Sequence, residues 1–166
     1  MGTAYSFVSV WRVPASAPRC WAELVRMITP PAARTESVAG SQRGAVATWW
    51  RSVSVEPPRR IAVGEGMALH VRSPLGYALR VHLTLTGVED GRFLSAASAG
   101  DLRGAGSVAV EAAGDAASVV TFHWDVATER RWMNATAFVL RPVFEHAHAH
   151  VMRQGERGLR AALSTP

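Results

Sequence analysis

Lysine is absent from this chain: all 18 of its basic residues are arginine. Schiff-base catalysis, pyridoxal attachment and a phosphate-binding P-loop each need an ε-amine, so these chemistries are excluded. Cysteine is nearly absent as well. Cys20 has no second thiol for a disulfide, a CxxC redox pair or a zinc cluster. It falls between Arg19 and Trp21 at the start of an expected helix, where a free thiol behaves as a small buried hydrophobe. No apolar run reaches the 18 residues that a membrane span requires. The N-terminus lacks the basic segment, apolar core and cleavage site of a secretory signal, so a cytoplasmic location is expected. Nucleotide and hydrolase motifs (GxSxG, HExxH, a GxGxxG after a strand) are also missing. No internal repeat or linker divides the sequence, and residues 1–166 are expected to form a single domain.

Within those bounds, the chain is 48% hydrophobic and 19% charged, which leaves enough apolar material for a core and a pocket. Its sequence pI is near 10.9. The arginines are nevertheless scattered from Arg12 to Arg160, and only Arg59–Arg60 and Arg130–Arg131 are adjacent. No basic run is interleaved with aromatics, so a solvated outer face is expected and nucleic acid is not an expected partner.

The segments divide by period. Tyr5–Val13 alternates as a first strand and ends at Pro14. Ser16 and Pro18 open a short helix with Trp21, Leu24, Val25 and Ile28 on one side, closed by Pro30–Pro31. Residues 31–46 read as a small, polar loop with room for one helical turn, and Trp49–Trp50 follow as adjacent rings that need burial or a ligand. Strands are expected at Val53–Glu56, within Arg60–Ser73, at Tyr77–Val88, Phe93–Leu102 and Gly106–Ala112, and at Ser118–Thr128. Glu89–Asp90–Gly91 marks one hairpin and Arg103–Gly104 another. The Ala/Ser/Gly-rich Phe93–Leu102 fits a tightly curved strand or a close approach to the sheet. Arg130 to about Leu163 then switches to helical spacing, with Pro142 expected to kink it. This order predicts an α+β fold in which about seven antiparallel strands curve around one long C-terminal helix.

The segments Ser9–Leu24 (SVWRVPASAPRCWAEL), Trp49–Val53 (WWRSV), Ser73–Glu89 (SPLGYALRVHLTLTGVE), Ala97–Val108 (ASAGDLRGAGSV), Phe122–Asn134 (FHWDVATERRWMN) and Arg141–Leu159 (RPVFEHAHAHVMRQGERGL) carry a likeness. On them the chain resembles the polyketide cyclase/dehydrase and lipid-transport family of the START-related (SRPBCC, helix-grip) superfamily. The likeness covers nearly the whole chain and implies two short helices after the first strand. Residues 31–48 depart from it, being longer and without aromatics where the family has a short Pro- and Trp-rich segment at the pocket mouth.

The resemblance implies a cavity between sheet and helix, and alternation then selects its wall. Met67, Leu69, Val71, Tyr77, Leu79, Val81, Leu83, Leu94, Ala96, Ser98, Val108, Phe122 and Trp124 face inward on the strands. Met133, Ala137, Leu140, Phe144, His148, Val151 and Leu159 form the helix stripe. The expected ligand-binding set is Trp49, Met67, Leu69, Tyr77, Leu79, Val81, Ser98, Phe122, Trp124, Phe144 and His148. Asp125, His82 and His123 are expected to point outward. Asp101 is expected to hold a turn or pair with an arginine.

His146, His148 and His150 cannot converge on one ion, because at about 100° per residue His148 lies roughly opposite His146. No metal is therefore expected, and no cofactor is expected either. Two main readings follow from the resemblance. One is binding of a small hydrophobic or aromatic ligand (lipid, polyketide or isoprenoid-like). The other is a polyketide cyclase/dehydratase with His148 or Tyr77 moving protons. An interaction module, such as a homodimer, is a third reading that no residue specifically supports.

Overall fold

The computed structural model describes residues 4–29, 46–128 and 131–164, with the backbone alone at 46–47 and 131–140. Strand β1 (Ala4–Val13) is followed by helix α1 (Ala17–Ile28), then by β2 (Val46–Ala47), β3 (Val53–Glu56), β4 (Gly66–Arg72), β5 (Ala78–Glu89), β6 (Phe93–Gly100), β7 (Leu102–Ala112) and β8 (Ser118–Thr128). Helix α2 (Arg131–Ser164) closes the chain. The eight strands form one antiparallel sheet in the order β1-β8-β7-β6-β5-β4-β3-β2. The expected sheet of about seven strands is thus extended by the two-residue β2 at one edge. The second short helix and most of the loop 31–48 fall on residues 30–45, outside the described part.

Period-2 sequence becomes two-faced sheet throughout. In β1, Tyr5, Trp11 and Val13 are buried, whereas Val8 and Val10 on the other face are exposed. In β5, Val81, Leu83 and Leu85 are buried between exposed Arg80, His82, Thr84 and Thr86. The pairing slips between Leu85 and Gly87, which introduces an irregularity opposite β6. The sheet curls into a half-barrel with its apolar face toward the helices.

One turn lies elsewhere than its sequence implies. The β6–β7 corner is at Gly100–Asp101 instead of Arg103–Gly104, and β7 accordingly starts at Leu102. Gly100 takes a φ of +92°, which side chains rarely adopt. The Asp101 carboxylate accepts the Arg80 N–H at 2.8 Å, while the Asp101 N–H donates to the Arg80 carbonyl at 3.1 Å. The corner is thereby anchored to β5, and the rest of GDLRGAG continues as strand.

Helix α1 buries Cys20, Trp21, Leu24 and Ile28. Its Trp21 indole N–H donates to Asp90 Oδ1 at 3.1 Å, fixing the helix to the β5–β6 turn. Helix α2 continues through Pro142 and buries Phe144, Ala147, Val151, Met152 and Leu159 along one face.

The tryptophan pair fixes α2 on the sheet. Trp50 stacks on Trp49 at 6.0 Å and meets Trp11 edge-on at 5.2 Å. Its indole N–H donates to the Val151 carbonyl at 2.8 Å. Glycine at 155 makes this approach possible, since a Cβ there would lie 2.5 Å from the Trp50 ring and 2.6 Å from Trp11. Gly158 similarly admits the Trp49 backbone.

At an open helical site, Gly→Ala stabilises by about 1 kcal/mol through propensity. Gly155→Ala is expected to reverse that sign, lowering stability by about 1–3 kcal/mol through overpacking against Trp50 and Trp11. Urea unfolding of wild type and variant measures it; a gain in stability would show that the ring contact is loose.

Candidate functional site

Beyond the tryptophan pair, sheet and helix separate and leave a partly enclosed cavity of about 290 Å³. This is at the small end of ligand sites, which run from about 300 to 1,000 Å³. Its floor is the inner face of the sheet: Met67, Leu69 and Val71 from β4, Leu79, Val81, Leu83 and Leu85 from β5, and Phe122, Trp124 and Val126 from β8. Its roof is Phe144, Ala147, His148, Val151 and Met152 of α2, and Leu24, Met27 and Ile28 of α1 reach one side.

Trp124 owes its position to the neighbouring strand. Gly106 pairs with Trp124 across the β7–β8 ladder, and a Cβ on Gly106 would collide with the indole. The indole therefore lies flat on the sheet at the cavity floor. Small residues opposite a large one explain the glycine-rich run in β7.

The other end of the cavity is aromatic. Phe7 stacks on Tyr5 with ring centroids 5.7 Å apart and on His148 at 4.0 Å. Phe144, one helical turn before His148, meets Tyr5 at 6.4 Å and Tyr77 at 6.0 Å, both edge-on. Two polar atoms are stranded in this cluster. The Tyr5 hydroxyl and His148 Nε2 are shut off from solvent with no hydrogen-bond partner among the described residues.

Desolvation governs the electrostatics here. Burial pushes the His148 imidazole down from 6.5 to about 4, so the ring is neutral at pH 7. Burial also raises the Tyr5 phenol, with nearby Arg141 opposing and Glu145 and Tyr77 reinforcing the rise. Cys20 is raised for the same reason, partly offset by the neighbouring Ser118 side chain, which leaves a buried, unreactive thiol.

Of the residues expected in the ligand-binding set, Met67, Leu69, Tyr77, Leu79, Val81, Phe122, Trp124, Phe144 and His148 all line this cavity. Trp49 and Ser98 are placed elsewhere. Trp49 packs outside the wall between Trp50 and Gly158. Ser98 is buried, but its hydroxyl donates to the Leu102 carbonyl at 2.6 Å and closes the β6–β7 corner. The remaining stripe positions Met133, Ala137 and Leu140 belong to residues whose side chains lie outside the description. His82, His123 and Asp125 are exposed.

The three histidines of α2 diverge. His146 is exposed, His148 packs on Phe7, and His150 Nε2 is 3.1 Å from Gln154 Nε2. Among the described residues, no three His, Cys, Asp or Glu side chains gather around a common point. No described helix is long and apolar enough to cross a membrane.

Tyr5, Phe7 and Trp50 were not in the expected wall, although the first strand alternates as clearly as the others. Extending the same inward phase to β1 would have found Tyr5 and Phe7. Trp50 shows no such signal, because in a WW pair either ring can be the inner one.

No protein-family model matches the chain, and no curated protein does. Solved structures do match. The Zhui aromatase/cyclase from Streptomyces sp. R1128 superposes with a TM-score of 0.69 at 11% identity, over 96% of this chain and 93% of that one. A START superfamily protein from Mycobacterium smegmatis gives 0.65 at 11% identity, over 96% and 97%. A protein from Thermus thermophilus gives 0.64 at 14% identity, over 95% and 99%. At these identities the likeness establishes the fold, which is the helix-grip fold of START-like and aromatase/cyclase proteins.

The lowered His148 pKa makes stability depend on pH. Between pH 6.5 and 4 the unfolded chain binds a proton at His148 that the folded protein refuses, so stability is lost as pH falls through that window and is fully present above it. Relative to His148→Phe, wild type is expected to lose on the order of 2–3 kcal/mol between pH 7 and pH 4. Urea titrations at both pH values test this; parallel losses in the two proteins would mean that His148 is solvated in the fold.

Proposed function

We propose that this protein binds a small hydrophobic or aromatic ligand, of lipid, polyketide or isoprenoid-like character, between its sheet and α2. The observation that carries this reading is the cavity of about 290 Å³ with an almost wholly apolar wall. Apolar surface moved from water into such a site contributes about 25 cal/mol per Å², less the cost of ordering the ligand. Trp124 and Phe122 offer flat faces, and Tyr77 and His148 offer polar tips that orient what enters. START-like and aromatase/cyclase folds among the similar structures support a container of this kind.

A second reading is supported by one of those structures being an aromatase/cyclase. In it the cavity folds a poly-β-ketone or a related intermediate, and His148 or Tyr77 transfers protons. His148 is unprotonated at neutral pH and so holds a free lone pair, although a pKa of about 4 makes it a weak base. Catalysis would then rest mainly on positioning.

Mass spectrometry of an organic extract of the natively purified protein separates the readings. Container function predicts a stoichiometric apolar molecule, and an empty extract moves the weight to a transient substrate. Trp124→Ala is expected to weaken binding of N-phenyl-1-naphthylamine by about tenfold or more while the far-ultraviolet dichroism stays unchanged, given the area of an indole face. Unchanged affinity would remove Trp124 from the site. Under the cyclase reading, His148→Gln is expected to slow turnover of a poly-β-ketone thioester by about 10²-fold or more. Wild-type turnover in that variant would eliminate His148 as the proton-transfer group.

A further inference from the structure

We infer that Tyr5 and His148 form a neutral hydrogen-bonding end to the cavity, and that the ligand is an aromatic molecule carrying an uncharged hydroxyl. This inference rests on the ligand-binding reading above and specifies the chemistry of the ligand. Tyr5 is only 5% exposed, lines the cavity, and has its hydroxyl without a partner among the described residues. His148 Nε2 is stranded in the same way, and both rings stack on Phe7. Buried polar groups are nearly always satisfied by protein or water, so two orphans in one aromatic cluster mark the place of an absent partner.

The required partner follows from the atoms. A phenol both donates and accepts, and a neutral imidazole nitrogen donates or accepts according to its tautomer. A ligand hydroxyl, itself donor and acceptor, can pair with either group in either tautomer. The ligand group must also be uncharged. Among the described residues the cavity wall holds no arginine, aspartate or glutamate, and Arg141 near Tyr5 is exposed, so a buried carboxylate would have only a solvent-screened counter-charge. Phe7, Phe144 and Tyr77 around this end favour a flat ring as the carrier of the hydroxyl.

A matched set of probes tests this by titration calorimetry: naphthalene, 2-naphthol and 2-naphthoate. A purely apolar pocket prefers naphthalene, which has the least hydration to shed. The Tyr5–His148 end predicts that wild type binds 2-naphthol about tenfold more tightly than naphthalene, and 2-naphthoate more weakly than 2-naphthol. Tyr5→Phe removes only an unpaired hydroxyl and His148→Phe keeps the stack on Phe7, so both variants are expected to fold. Each should narrow the gap between 2-naphthol and naphthalene, and together they should abolish it.

A wild type that binds 2-naphthol no better than naphthalene overturns the inference and leaves the cavity a ligand site. A preference that survives in both variants does the same. Tightest binding of 2-naphthoate overturns the requirement for a neutral group. Failure of all three probes to bind overturns the ligand-binding reading together with this one.

Discussion

The contact of the Trp50 indole with α2 is the constraint on which the rest of this structure depends. Its ring is held by Trp49 and Trp11, its face presses on Gly155, and its N–H is bonded to the Val151 carbonyl. These contacts set the distance between helix and sheet where they meet. A helix fixed at one end against a curved sheet must diverge from it further along. The rings of Trp11, Trp50 and Phe122 fill the near end solidly, with centroids between 4.5 and 6.1 Å apart. The far end is left to Tyr5, Phe7, Phe144 and His148, which border open space. The cavity is thus a geometric consequence of where the largest side chains are spent.

Secondary bonds reinforce the same placement. Ser52 and Gln154 share a short side-chain hydrogen bond, and Gln154 also meets His150, so the loop after the tryptophan pair is joined to α2 beside Gly155. Arg160 bonds the Arg12 carbonyl and Glu156, tying the end of α2 to the edge strand β1. The Arg160–Glu156 ion pair lies within α2 and contributes little by itself. The bonds to Ser52 and to the Arg12 carbonyl are the ones that join the helix to other elements.

How legible this was in the sequence depends on which force sets each feature. Strands and helices follow from period, a local property, and Ser118–Thr128 has the same bounds in sequence and structure. The apolar wall is equally local once an inward phase is chosen, which is why Met67, Leu69, Leu79 and Val81 fall where alternation places them. Ser98 shares that phase, yet a hydrogen bond to Leu102 turns its hydroxyl to the corner. The β6–β7 turn escapes a sequence reading because glycine is frequent across Gly100–Gly106 and composition cannot rank the candidates. The deciding contact is with Arg80 on another strand. Trp49 and Trp50 differ only in which one meets Gly155, and that is tertiary information.

Four buried side-chain polar atoms lack a partner among the described residues, on Tyr5, Trp49, Ser118 and His148, and the two in the aromatic cluster, on Tyr5 and His148, bear most directly on function. Leaving a buried hydroxyl or imidazole nitrogen unpaired costs about 1–3 kcal/mol each, a sizeable share of a domain's net stability of about 5–15 kcal/mol. Phenylalanine at either position would keep the stacking on Phe7 without that penalty. Folding alone therefore gives no physical reason for a tyrosine at 5 or a histidine at 148. Where a chain departs from local consistency without gain to its fold, the compensation is to be sought in what it binds. Here both departures face one cavity from opposite walls, β1 and α2. Strand and helix already meet there through Phe7 on His148 and Tyr5 on Phe144, and a molecule that pairs with these atoms adds to that contact. Ligand binding would then stabilise the far end of the fold as Trp50 does the near one.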